Sequence, residues 1–133
     1  MRASKTAVLS ALPLLLGALN PAFAQTVFRL EAGPSTVAFG HYDPAKPGVL
    51  RIASGDIVEV TTMLTSNPTR LQEMGLPADE VQPALAAIYE EVLDRGPGGH
   101  ILTGPIHVEG AEPGDVLEVR ILEVGFSVNY GYN

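Results

Sequence analysis

Two stretches of the chain repeat one pattern, a Gly-Asp turn followed by an apolar strand that carries a glutamate at the same place. The first is SGDIVEV at residues 54–60, and the second is PGDVLEV at residues 113–119. Glycine adopts the backbone conformation that such a turn needs, and aspartate accepts a hydrogen bond from a nearby N–H as the strand begins. The repeat predicts two similar β-hairpin units and a mainly β fold, sandwich-like or barrel-like. A turn role accounts for both Asp56 and Asp115.

One helical segment is inserted among the strands. Pro83 fits only the first turn of a helix, and GPGG at residues 96–99 ends it, which predicts a helix over 81–94. Apolar side chains spaced by 4, 3 and 4 residues give this helix one apolar face, formed by Val81, Leu85, Ile88 and Val92.

Alternating and β-branched stretches predict the strands of the fold. We expect the apolar residues of 57–60 to pack against those of 116–121, with the helix covering one side. Turn residues predict a loop over 67–77. The predicted strands are 27–30, 36–39, 49–52, 57–62, 106–108 and 115–124.

The first 24 residues have the pattern of a secretory signal peptide. Two basic residues precede an apolar stretch over 7–19, and Ala22-Phe23-Ala24 presents small residues just before Gln25. The alternative is a membrane anchor, but the stretch is broken by Pro13 and is shorter than the ~20 residues that span a bilayer. We therefore expect an exported protein, periplasmic or secreted in a bacterium, with a single domain over 25–133 and no membrane span in the mature chain.

Composition excludes several classes of function. Eight Lys and Arg against 15 Asp and Glu give a formal charge of −7, which disfavours binding to nucleic acid or to an anionic membrane surface. The chain has no cysteine, so a disulfide framework, a thiolate zinc site and a cysteine nucleophile are excluded. Any catalysis must use oxygen groups, imidazole or a bound metal.

Histidines are the clearest chemical candidates, although they form no HxH, HxxxH or HExxH motif. His107 lies in an alternating strand and is most simply a half-exposed strand residue. His41 lies in a turn, where a structural and a functional role are both open. His100 precedes a strand on a Gly-rich loop, where functional side chains concentrate, although a polar surface histidine is the simpler alternative. No serine lies in a GxSxG motif.

The order of the motifs resembles the acetamidase/formamidase family across residues 34–133. The resemblance rests most on GGHILTGPIHVEGAEPGDVLEV at residues 98–119. It extends to TVAFGHYD at 36–43 and GVLRIASGD at 48–56. The segment NYGYN at 129–133 is similar to the family's Asp-Trp-Gly-x-Asn, with Asn for Asp and Tyr for Trp.

This resemblance implies hydrolysis of the C–N bond of small linear amides to ammonia and a carboxylate. It also implies a β-rich homo-oligomer, a divalent metal (zinc or calcium) and no organic cofactor. The matching positions imply that Asp56 and His100 bind the metal and act in catalysis, with Glu109 as a base or an orienting carboxylate. A metal in such a site can polarise the amide carbonyl and generate hydroxide, although catalytic zinc normally has three protein ligands.

The family pattern continues beyond the motifs found here, and its Gly-Asp-Gly-Glu segment has no counterpart in the sequence. We therefore expect an incomplete family fold, impaired activity and an aggregation-prone or oligomeric chain. The alternative function is a non-catalytic exported binding or interaction domain that retains the family scaffold. In-frame continuation of the coding sequence would distinguish the two.

Overall fold

A computed structural model describes residues 26–131, so the predicted signal peptide lies outside the described residues. None of the helices within this range is long and apolar enough to cross a membrane. The strands are β1 (Val27–Leu30), β2 (Val37–Phe39), β3 (Leu50–Ile52), β4 (Ile57–Val60), β5 (Ile101–Thr103) and β6 (Ile106–Val108). The helices are α1 (Pro68–Glu73) and α2 (Pro83–Glu91), with a 3-10 turn at Ala78–Glu80 between them.

The six strands form three separate two-stranded sheets, which confirms a β-rich domain. β1 pairs with β4 in parallel, β2 with β5 antiparallel, and β3 with β6 in parallel. Over residues 26–131 these sheets do not close into a barrel. The prediction of two hairpin units is wrong, because β4 pairs with the distant β1. That register places Arg29 opposite Glu59, joined by an ion pair of 2.9 Å, and Phe28 opposite Val58.

The core lies between α2 and the sheet formed by β2 and β5. All three residues of β2 are buried, and Leu85 and Ile88 of α2 have 0% exposure. Phe39 packs edge-on against Tyr89, with 5.1 Å between ring centroids. The predicted apolar face is confirmed, since Val81 and Val92 are also buried, but the helix itself is shorter than 81–94. Pro83 occupies its first turn, as predicted.

A second helix, α1, occupies part of the predicted loop. The side chain of Asn67 accepts a hydrogen bond of 2.6 Å from Arg70 N, which caps the first turn, and Pro68 is at the first helical position. Leu71 is buried against the core and secures this short helix. The prediction of a loop over 67–77 is therefore wrong for its first half, where Asn-Pro acts as a helix start.

The predicted strand over 115–124 does not form, and we call this segment the arm. It has no ladder partner within the described part of the chain, and its apolar side chains are exposed, Val116 at 95%. The predicted packing of these residues against β4 is wrong, because Val116, Val119 and Ile121 are exposed. The chain returns to the body at Tyr130, whose hydroxyl donates to Glu80 O at 3.1 Å.

Candidate functional site

Two chain segments that carry histidine meet at the end of β2. Gly40 N donates to His100 O at 2.8 Å, and Gly98 N donates to Gly40 O at 3.0 Å. Gly96 N donates to Phe39 O at 2.8 Å. A Cβ atom on Gly40 would come within 2.5 Å of Gly98 O, so only glycine permits this contact. The close approach fixes His41 and His100 relative to the core.

The Arg95 side chain anchors the start of this loop to α2. Its guanidinium lies 4.8 Å from the centroid of the Phe39 ring and donates hydrogen bonds to the carbonyl oxygens of Val92 and Tyr89. Gly96 follows Arg95 directly, so the contacts of Arg95 with Phe39 and α2 also fix the start of the loop that carries His100.

The hydrogen-bond partner of His41 Nδ1 determines which ring nitrogen carries the proton. Nδ1 lies 3.1 Å from Phe39 O. A carbonyl oxygen can only accept, so Nδ1 carries the proton, and in the neutral ring Nε2 keeps its lone pair. The side chain is half-buried. The arrangement gives a fixed tautomer with a basic nitrogen available.

A cleft of about 390 Å³ opens beside His41. One wall is the turn over 41–44, and the other is the end of β5 with the cis peptide bond between Gly104 and Pro105. The Asp43 side chain stabilises its own turn, since Oδ1 accepts a hydrogen bond of 2.8 Å from Ala45 N. The cleft is lined by Ala38, His41, Tyr42, Asp43, Pro44, Leu102, Thr103, Gly104 and Pro105. It combines an apolar lining with one basic nitrogen, which suits a small polar molecule with an apolar substituent.

His100 is exposed, and its backbone oxygen accepts the hydrogen bond from Gly40 N. Its Nδ1 is 3.3 Å from Thr65 Oγ1, which orients the ring. The residue is outside the lining of the cleft. The structure thus does not bring the His100 side chain into the cleft beside His41, and its catalytic role stays a prediction.

Asp56 and Glu109, the other two predicted site residues, each have a local partner. Asp56 Oδ2 accepts from Ala53 N at 2.8 Å, and Oδ1 accepts from Thr26 N at 3.4 Å. Glu109 forms an ion pair of 3.5 Å with Arg51. Both carboxylates thus stabilise the local backbone or the β3–β6 pair in this structure.

These positions bear on the predicted metal site. Asp56 precedes β4, whereas Thr65, the partner of His100, comes after it, so about 13 Å of strand lies between them. Among the described residues, no group of three or more His, Asp and Glu is placed to hold a metal ion. We therefore assign no step of the reaction to a metal. Zinc or calcium bound by Asp56 and His100 stays a prediction.

The two Gly-Asp turns predicted from the repeat are built in the same way. Asp115 Oδ2 accepts from Glu112 N at 2.9 Å, as Asp56 Oδ2 does from Ala53 N. In both turns the backbone is bonded in the opposite direction as well: Asp56 N donates to Ala53 O, and Asp115 N donates to Glu112 O. The likeness supports a turn role for Asp56, and only the first turn leads into a paired strand.

The sequence left the role of His41 open, and the structure makes it the best placed imidazole. The available signal was its position directly after the glycine that ends a fully apolar strand. Apolar neighbours on β2 predict that the next side chains lie at the edge of the core. The sequence alone does not show that the loop over 96–100 packs against this position.

Comparison with known proteins gives two matches. The Acetamidase/Formamidase family model matches residues 40–133, a range that includes both His41 and His100. A protein named acetamidase from Mycolicibacterium smegmatis is 69% identical over 26 residues, which cover 20% of this chain and 6% of the relative. The matched part of the chain thus spans a small fraction of that relative's length. No solved structure matches.

Proposed function

The chain belongs to the acetamidase/formamidase family, as its motifs predict, and from this premise we propose that it hydrolyses the C–N bond of small linear amides. The single observation that supports His41 as the base is the hydrogen bond between its Nδ1 and Phe39 O. It leaves a basic nitrogen beside a cleft large enough for formamide, acetamide or a slightly longer amide.

The reaction uses these groups in two proton transfers. The acyl substituent lies against Ala38, Leu102 and Pro105, and the amide carbonyl faces the turn that carries His41. His41 Nε2 takes a proton from a water molecule, whose oxygen attacks the carbonyl carbon. The same imidazole then returns the proton to the amide nitrogen, so the C–N bond breaks and ammonia and a carboxylic acid are released. His100, held by Thr65, is the second imidazole that we propose for this surface.

The decisive experiment measures ammonia release by the purified chain from formamide, acetamide and propionamide. His41→Gln removes the basic nitrogen but keeps an amide that can donate to Phe39 O, so we expect kcat to fall about 100-fold or more. His107→Gln is the matched control, because His107 is exposed on β6 and does not line the cleft. Equal loss in both variants, or none in either, would show that His41 is not the base.

The same ammonia assay can test the predicted roles of His100, Asp56 and Glu109. His100→Ala tests the second imidazole, and Asp56→Asn tests metal binding while retaining an acceptor for Ala53 N. A chelator tests the predicted zinc or calcium ion directly. Amide binding without ammonia release from any of these substrates would support the alternative of a non-catalytic binding domain.

We also propose that the protein works outside the cytoplasm, because its first 24 residues have the pattern of a signal peptide. The test is N-terminal sequencing of the protein from a bacterial periplasmic extract. An N-terminus at Gln25 supports export, whereas an intact Met1 in the cytoplasmic fraction contradicts it.

A further inference from the structure

We propose that Lys46 is a positioning residue for the site: its ammonium group holds the turn over 41–46 against β2 and so keeps the His41 ring in place. The inference rests on the proposed function, in which His41 is the base. Lys46 Nζ donates a hydrogen bond of 3.0 Å to Val37 O, nine residues earlier in the chain. His41 Nδ1 lies 3.1 Å from Phe39 O. The first and the last residue of the turn are thus bonded to carbonyl groups of the same strand.

These two carbonyl groups lie on the edge of β2 that faces away from β5. Gly104 N donates to Thr36 O across the β2–β5 pair, and backbone groups of alternate residues point to opposite edges of a strand. The carbonyl groups of Val37 and Phe39 therefore point to the other edge. Val37 is only 1% exposed, so its oxygen has little access to water and needs a donor within the protein. The ammonium group of half-buried Lys46, at the end of a long flexible stem, supplies it.

The turn between the two contacts is stiff enough to couple them. Asp43 Oδ1 accepts from Ala45 N at 2.8 Å, and Lys46 N donates to Asp43 O at 3.2 Å. Pro44 has a fixed φ, and Pro47 restricts the backbone of Lys46 before it. A turn bonded and restricted in this way moves as a unit, so the position of its last residue affects the position of its first.

The His41 ring depends on this support, because its own contact is short in sequence. The bond between His41 and Phe39 O joins residues only two apart and does not by itself hold the turn on the strand. The next backbone hydrogen bond after Lys46 is from Val49 N to Pro105 O, at 2.9 Å. Loss of the Lys46 bond therefore releases the turn from β2 up to that point, and the ring becomes free to change rotamer. A neutral imidazole away from Phe39 O is no longer restricted to the Nδ1–H tautomer that leaves Nε2 basic.

NMR spectra of the imidazole nitrogens test the inference without any substrate. The His41 signals are those that His41→Gln removes, and in the neutral wild-type ring we expect the Nδ1–H tautomer alone. Lys46→Met removes the donor but keeps an apolar stem, so the Nε2–H tautomer should rise to about one fifth or more. Lys46→Arg keeps a donor and should restore the wild-type spectrum. Arg70→Met is the matched control, because it removes the same charge from an exposed position on α1 outside the cleft lining. An unchanged His41 tautomer in Lys46→Met overturns the proposal.

Kinetics separate positioning from stability. Below the thermal unfolding of every variant, Lys46→Met should lower kcat for acetamide about tenfold or more, because a displaced base no longer meets the attacking water. Lys46→Arg should recover most of the rate, and Arg70→Met should stay within about twofold of wild type. Lower thermal stability of Lys46→Met with unchanged kcat overturns the proposal, since Lys46 would then serve only the Val37 carbonyl. A wild-type chain that releases no ammonia contradicts the proposed function instead, and the NMR comparison still decides whether Lys46 holds His41.

Discussion

At residue 40 the backbone leaves room for a hydrogen atom and nothing larger. Gly40 has a φ of 79°, and its backbone lies against the carbonyl groups of Gly96 and Gly98. The contact depends on residues far apart in the sequence. A glycine before a histidine indicates a turn from sequence alone, but the loop that fills the space beside it is visible only in three dimensions. For the same reason the sequence identified His41 as a candidate without giving its tautomer or its cleft.

Replacing Gly40 by alanine should therefore lower the free energy of unfolding by more than the strain of a positive φ alone. A Cβ there meets carbonyl oxygens at 2.5 and 2.8 Å, so we expect a loss of about 2–4 kcal/mol in the free energy of unfolding, measured in urea. Gly55→Ala is the matched control. Its φ of 95° is also positive, but no atom lies within 4 Å, so only the backbone strain of about 1–2 kcal/mol applies. Equal losses would show that the loop over 96–100 yields to the added methyl group.

At the scale of single elements, periodicity was a good guide where the pattern is local. The four-, three-, four-residue spacing found the buried face of α2, and the strands over 27–30 and 106–108 have the predicted bounds. The helix is shorter than its apolar pattern, because the backbone angles of Gln82 and Val92 are not helical, although the side chains of Val81 and Val92 are buried. Periodicity reports which side chains face the core, and it does not by itself report where the helical hydrogen bonds stop.

The two Gly-Asp turns give a prediction at this scale, since they share a geometry but lead into different segments. Asp56 bonds to Ala53 N and to Thr26 N and so joins the starts of β4 and β1. Asp56→Ala should lower the free energy of unfolding by about 1–2 kcal/mol. The Asp115 side chain bonds to Glu112 N within its own turn and leads into the exposed arm, so Asp115→Ala should change it by less than about 0.5 kcal/mol. Both changes are measured by urea unfolding at low protein concentration.

Asp56→Asn separates the turn role from the predicted metal role. Asparagine keeps an oxygen acceptor for Ala53 N and loses only the longer contact of 3.4 Å with Thr26 N, so the free energy of unfolding should stay within about 0.5 kcal/mol of wild type. If activity is lost while stability is kept, Asp56 has a function beyond the turn. A loss of stability in Asp115→Ala as large as that in Asp56→Ala would contradict the difference that we assign to strand pairing.

At the scale of the whole molecule, the sequence predicted a β-rich chain of this family but paired its strands incorrectly. Strand pairing depends on which distant segment is available, and a repeat of similar strands suggests similar surroundings that need not exist. Here one copy of the repeat pairs with β1, whereas the arm is exposed.

Limited proteolysis tests the exposure of the arm. Most Lys and Arg residues in the described range are poor sites for trypsin. Arg29 and Arg51 lie in paired strands, and Arg70 lies in α1. Arg95 is bonded to two carbonyl groups, and Lys46 precedes a proline, where trypsin does not readily cut. Arg120 alone among them lies in a long exposed segment without a ladder. We therefore expect brief trypsin treatment of dilute protein to cut first after Arg120, as measured by mass spectrometry. A first cut elsewhere in dilute protein would show that the arm is not the least protected segment.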